Sequence, residues 1–160
     1  LGFEVDVRPQ KGQLRDYFFE GMDTGRLPVL MPEGELDVIP FAGGKISVGA
    51  SHENDQGFDL TVDETVLASL EEEAKTYFPD LSTAKSFSER VGTRAYTSDF
   101  SPFFGEVPEL ESVFVASGLG SSGLTIGPLI GKNLVDLAMN RSGSLDSADY
   151  PVAQYVKKKD

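Results

Sequence analysis

One arginine set among small residues, and a glycine-rich stretch that opens a helix, concentrate the groups in this sequence that could do chemistry. The first stretch is Gly92-Thr93-Arg94-Ala95-Tyr96-Thr97-Ser98-Asp99, running on into Pro102, Phe103, Phe104 and Gly105. A guanidinium grips a carboxylate through parallel hydrogen bonds, which fixes orientation as well as charge. Set against that, most arginines are structural, and an ion pair with one of the many acids, Asp99 for example, is the commoner outcome. The second stretch is Gly118-Leu119-Gly120-Ser121-Ser122-Gly123-Leu124. Glycines and serines between a strand and a helix let backbone approach a ligand closely. The free N–H groups and positive end of the helix favour negative charge there. The plainer reading is a tight strand-to-helix turn, since the spacing is not GxGxxG and no complete βαβ unit surrounds it. Taken together, the two stretches suggest a site for an anionic substrate beside a cofactor.

Two further positions are weaker. Asp37 starts an apolar strand, where alternation makes it either solvent-facing or a polar contact into a pocket. His52, beside Glu53, is a possible base, but a turn residue at a strand end is the simpler reading. With one histidine and no cysteine, disulfides, thiol catalysis, thiolate metal sites and multi-histidine metal sites are excluded within this chain. The formal net charge of −12, from 26 acidic and 14 basic side chains, disfavours nucleic acid and anionic membrane as partners. No apolar run approaches the roughly 20 residues of a membrane span, no signal peptide is visible, and a cytoplasmic setting is the default expectation.

The elements that must position these residues read as α+β. Residues 3–7 alternate apolar and acidic as a half-exposed strand. Arg8-Pro9-Gln10-Lys11-Gly12-Gln13 reads as a bend, residues 14–19 as a second strand, 21–26 as a turn and 27–31 as a short strand. Residues 36–40 and 45–49, joined by Phe41-Ala42-Gly43-Gly44, form the clearest hairpin. Thr61-Val62-Asp63-Glu64 reads as a capping box before a helix whose Val66, Leu67, Leu70, Ala74 and Tyr77 share one face, with Phe78-Pro79 stopping it. Residues 87–94 are extended, a further strand closes at 105–108, and 113–116 form a short buried strand. A helix then runs from about 122 to 140, with Leu129, Ile130, Leu134, Val135 and Leu137 as core candidates. Pro128 falls either in its first turn or at an interior kink. The tail from 141 to 160 is polar and reads as loosely packed. The sequence begins at Leu1 and goes straight into a strand pattern, so the chain reads as a piece of a longer protein.

In order and spacing these stretches resemble the C-terminal half of the D-amino acid oxidase-like family of FAD-dependent oxidoreductases, which includes glycine oxidase, sarcosine oxidase and D-amino acid dehydrogenases. The matching segments are Arg8-Pro9-Gln10-Lys11-Gly12-Gln13, Ile39-Pro40, Gly43-Gly44-Lys45-Ile46-Ser47-Val48-Gly49-Ala50-Ser51 with Glu53, and Phe78-Pro79. They continue with Gly92-Thr93-Arg94 through Asp99, Pro102, Gly105, Ala116-Ser117-Gly118 through Leu124, and Gly127-Pro128. The resemblance covers nearly all of residues 5–140.

The resemblance implies a substrate domain over residues 1–109, a twisted mixed or antiparallel sheet with packed helices. Residues 110–160 would supply the C-terminal strand and helix of the FAD domain plus a tail. It implies a missing N-terminal half that holds the ADP portion of FAD, so the fragment alone is expected to be inactive, not to hold FAD, and to be open to self-association. It also implies roles. Arg94 matches the arginine that grips the substrate carboxylate, with Asp37 as a second substrate contact. Gly118, Gly120, Ser121, Ser122, Gly123, Leu124 and Thr125 fall on the cofactor-binding turn, the last three matching backbone that faces the pyrimidine edge of the flavin. The implied reaction oxidises a small amine or amino acid by hydride transfer from the substrate carbon to flavin N5, with no protein nucleophile or metal. Three positions depart from the family pattern: Ala95 replaces a common proline, Asp37 stands where glycine oxidases have a tyrosine, and Ser121 where they have an arginine. Two alternatives stay open, a relative acting on a hydroxy acid or glycerol phosphate and a non-catalytic anion-binding module.

Overall fold

The computed structural model describes residues 2–159. In chain order the elements are β1 (Phe3–Val5), β2 (Arg8–Phe18), β3 (Asp37–Pro40), β4 (Lys45–Gly49), α1 (Glu64–Tyr77), β5 (Lys85–Tyr96), β6 (Phe103–Glu106), β7 (Phe114–Ser117), α2 (Gly123–Ala138), α3 (Val152–Tyr155) and β8 (Val156–Lys158). The fold is α+β, as the sequence implies. The chain forms two compact units, Gln10–Thr93 and Leu1–Pro9 with Arg94–Asp160.

The Gln10–Thr93 unit is built on a sheet of strand order β3-β4-β2-β5. The hairpin is where its glycines demand it, with Gly43 and Gly44 at φ +78° and +82°. A Cβ on Gly44 would stand 2.4 Å from the Phe19 carbonyl oxygen, so only glycine fits that turn. Antiparallel register sets Val38 opposite Val48, and Val48 opposite Arg15. Those residues face α1, where Leu70 and Ala74 join Tyr17, Phe19, Leu36, Val38, Ile46, Val48 and Leu81 in one core. The other face carries Asp37, Ile39, Lys45, Ser47, Leu14, Asp16 and Phe18, because paired residues share a side.

Three local expectations need correction here. The bend and second strand expected over residues 8–19 are one continuous strand, β2, since Pro9 sits near the strand start, where a missing N–H is tolerated. The strand expected at 27–31 is reduced to an isolated bridge between Leu30 and Val38. The α1 cap is Asp63, not Thr61: the Asp63 carboxylate accepts from the N–H groups of Thr65 and Val66. Glu64, freed from any capping box, pairs instead with Arg15.

The other unit holds the antiparallel pairs β1–β8 and β6–β7. Its core joins Phe103, Val107, Val152, Tyr155 and Val156. The tail expected to be loose therefore supplies core residues. Of the expected α2 core, Ile130 is buried but Leu129 and Val135 are exposed, and Asn133 and Asp136 lie inside. Pro128 is interior to α2.

Candidate functional site

The arginine stretch and the glycine-rich stretch meet within one unit. Arg94 lies near the end of β5, half-buried and engaged by a neighbour. Two residues on, Tyr96 leads into a turn closed by the Phe100 N–H on the Thr97 carbonyl at 3.1 Å. Phe100 takes a left-handed φ of +61°, and its ring stacks on Tyr96 with centroids 5.5 Å apart. Thr97 is fully buried, with its hydroxyl 2.8 Å from the Ser101 carbonyl and 3.0 Å from Asp99 Oδ1.

Asp99 ties this turn to α3. It accepts from the Tyr155 hydroxyl at 2.8 Å, from Gln154 Nε2 at 3.1 Å and from the Ser101 N–H at 3.1 Å. The Tyr155 hydroxyl, then the Ser101 N–H, hold the Asp99 carboxyl below the usual carboxylate range. Sequence reading considered Asp99 only as an ion-pair partner. Its tyrosine partner lies 56 positions away, beyond any local pattern.

Gly118 brings the second stretch onto this turn. Its φ is +75°, and a Cβ there would stand 2.7 Å from Thr97 Cγ2 and 2.9 Å from the Ser101 carbonyl oxygen. Gly120 follows at φ +53° and opens a short 3-10 turn, Gly120–Ser122. The start of α2 at Gly123 has no side-chain cap and no acid in its first turn. Its first N–H groups therefore lack intrahelical partners, and the end carries partial positive charge. Ser121, Ser122, Leu124 and Thr125 are exposed, and Leu124 is 98% accessible.

Asp37 lies in the Gln10–Thr93 unit, half-buried and engaged by a neighbour. It sits opposite Gly49 on the sheet face away from α1. On that same face Asp16 is buried and takes three donors: Ser47 Oγ at 2.5 Å, Lys45 Nζ at 2.8 Å and Arg90 Nη2 at 3.0 Å. Burial pushes the Asp16 carboxyl up, but Lys45, Ser47 and Arg90 outweigh it and hold the group below its ordinary range. This cluster was not singled out from sequence. Its one sequence signal is a lone acid near the end of a strand, between Arg15 and Tyr17. His52 occupies a loop position, its N–H on Glu35 Oε2 at 3.1 Å. Among the described residues, no cluster of three or more His, Asp or Glu could hold a metal, and no helix is long and apolar enough to cross a membrane.

The chain is similar to the uncharacterized oxidoreductase YurR of Bacillus subtilis, 38% identical over 96% of this chain and 41% of the relative. It is 28% identical to the glycine oxidase of Geobacillus kaustophilus, over 99% of this chain and 41% of that enzyme. Among solved structures, the iminodiacetate oxidase of Chelativorans sp. BNC1 superposes with a TM-score of 0.90 at 31% identity, covering 95% of this chain and 41% of that one. The chain thus spans about two fifths of the length of these relatives. Residues 1–137 match the family model described as FAD dependent oxidoreductase, and the chain belongs to that family.

Proposed function

We propose that the protein containing this chain is a FAD-dependent oxidoreductase that oxidises a small amine or amino acid, with Arg94 binding the substrate carboxylate. The observation that carries this reading is the contact of Gly118 with Thr97 and Ser101. It sets the arginine strand's turn against the loop that opens α2. The two expected divisions, substrate domain at 1–109 and FAD-domain piece at 110–160, belong to this reading.

The residues at the start of α2 fit a flavin edge. The helix end is uncapped and free of first-turn acids, so it suits the negative charge of a reduced flavin. Gly118, Gly120, Ser121, Ser122, Gly123, Leu124 and Thr125 would hold the cofactor, the backbone N–H groups by polarity and Leu124 by apolar contact. FAD, when bound, supplies the two-electron acceptor for the substrate C–H bond. The chain's own residues bind and orient. Arg94 fixes the carboxylate, which limits the poses open to the reacting carbon, and Asp37 receives a cationic group of the substrate.

An anaerobic absorption titration of the flavoprotein with D- and L-amino acids and N-methyl amines tests the reading. Bleaching of the flavin bands by one class is expected. Flavin that no amine bleaches would move the substrate elsewhere in the family, towards a hydroxy acid or glycerol phosphate. Absence of flavin would leave the anion-binding module. With a substrate found, Arg94→Gln should lower kcat/KM by about ten- to a hundredfold, the worth of a hydrogen bond to a charged group. Asp37→Asn should weaken cationic substrates selectively, and an equal loss across all substrates would remove that role.

A further inference from the structure

Asp99 is exposed, and an acid so placed ordinarily leaves its oxygens to water. Here both oxygens are taken by protein donors. The Thr97 hydroxyl and the Ser101 N–H reach Oδ1 at 3.0 and 3.1 Å, and those two bonds are enough to close a local aspartate turn. The other donors are not local. Tyr155 Oη lies 3.0 Å from Oδ1 and 2.8 Å from Oδ2, and Gln154 Nε2 lies 3.1 Å from Oδ2. The turn closes without them, so donors 55 and 56 positions away serve something beyond it.

What lies beyond the turn is the loop that opens α2. The Thr97 hydroxyl is held between Asp99 and the Ser101 carbonyl. Fixing the hydroxyl of a β-branched side chain fixes its methyl too. That methyl, Cγ2, is what Gly118 packs against, since a Cβ on Gly118 would stand 2.7 Å from it. Leu119 carries the contact onward. Its carbonyl accepts from the Ser122 N–H at 3.2 Å, and a methyl group on Gly123 or Gly127 would lie 3.6 or 3.9 Å from its side chain. Leu119 therefore packs against the first turns of α2. The contacts run from α3 through Asp99, Thr97, Gly118 and Leu119 to the helix start, all within one compact unit.

We propose that Asp99, held by Tyr155 and Gln154, is a positioning residue for the flavin, setting where the start of α2 aims its free N–H groups. The proposal rests on the reading of that helix start as the flavin edge. Asp99 and Tyr155 act through Thr97 and the loop. Donors held in one place favour the negative charge of reduced flavin more than the uncharged oxidised ring. Loosening the loop therefore weakens the hold on reduced flavin more than on oxidised flavin.

The midpoint potential of the flavin, measured spectroscopically in the whole flavoprotein and in two variants, tests this without substrate. Tyr155→Phe keeps the ring and removes the hydroxyl from Asp99. Thr97→Val keeps the side-chain shape, removes its bond to Asp99, and serves if Tyr155→Phe fails to fold. In each, the preference for reduced over oxidised flavin should fall about three- to tenfold, as for coupling carried through packed contacts. That lowers the two-electron potential by about 15 to 30 mV. A role confined to stability would lower the urea midpoint and leave the potential of the bound flavin where it is. Bound flavin whose potential is unchanged in both variants would overturn the positioning role. The amine titration separates this from the broader reading. Lowered potentials in a protein whose flavin no amine bleaches would keep the role and move the substrate elsewhere in the family. Absence of flavin from the unaltered protein would overturn both.

Discussion

Gly118 and Gly120 are both left-handed glycines of the same loop, but they answer to different constraints. A methyl group at Gly120 would meet nothing within 4 Å, whereas at Gly118 it would meet Thr97 and the Ser101 carbonyl. Gly120→Ala should therefore carry only the left-handed backbone penalty of about 1–2 kcal/mol. Gly118→Ala adds a steric clash, which forces the loop off the Thr97 turn. Its loss in a urea melt should exceed that of Gly120→Ala by at least about 1 kcal/mol, and equal losses would mean the loop can shift freely. At Asp16 the prediction is one of pH. Its folded pKa is depressed, so its contribution to stability is present above the unfolded value of about 3.9 and fades as pH falls through the folded value. Asp16→Asn should destabilise by about 1–3 kcal/mol at pH 7, with the gap from the unaltered protein closing below about pH 4. A gap independent of pH would show that shape, not charge, sets the effect.

At the scale of elements, α1 shows how a right reading can rest on a wrong detail. The periodicity of Leu67, Leu70 and Ala74 marks the helix, and all three are buried. The cap is Asp63 because Gln13 Oε1, from β2, takes the Asp63 N–H at 2.7 Å, while Lys11 Nζ takes the Thr61 carbonyl at 2.5 Å. Both contacts are tertiary, so the local motif could not announce them. Asp63→Ala should destabilise by about 1 kcal/mol and Thr61→Ala by clearly less in thermal unfolding. The opposite order would restore the threonine cap. The hairpin was legible for a simpler reason, since its two glycines have a purely local conformational need. The buried face of α2 was not, because Asn133 is inside only by virtue of its partners. Its Oδ1 accepts from the N–H groups of Ser144 and Leu145 at 2.7 and 2.9 Å, so a residue that reads as surface becomes core. The candidate site divides the same way. Residue types pointed to Arg94 and the Gly118 loop, but the packing of Gly118 on Thr97, and the cluster on Asp16, depend on contacts across long sequence separations.

At the scale of the whole chain, the C-terminal tail is where composition misleads most. Residues 141–160 are polar enough to read as solvated, yet β8 pairs with β1 and Val152, Tyr155 and Val156 sit in the core with Phe103 and Val107. The Phe103 and Tyr155 rings stack 4.8 Å apart, and the Tyr155 hydroxyl reaches Asp99 beside the candidate site. Each buried side chain of this size is worth about 1.5–3 kcal/mol, so the three together approach the net stability of a domain, about 5–15 kcal/mol. Ending the chain after Tyr150 should therefore strip hydrogen-exchange protection from β6 and β7, which pack on that core. It should also release the turn at Thr97–Phe100, because Asp99 loses both Tyr155 and Gln154 as donors. Tyr155→Phe separates the two effects: it keeps the ring in the core and removes only the bond to Asp99, so β6 and β7 should stay protected while the turn loosens. Full protection of β6 and β7 in the truncated chain would show that the tail, despite its burial, is not what holds this unit together.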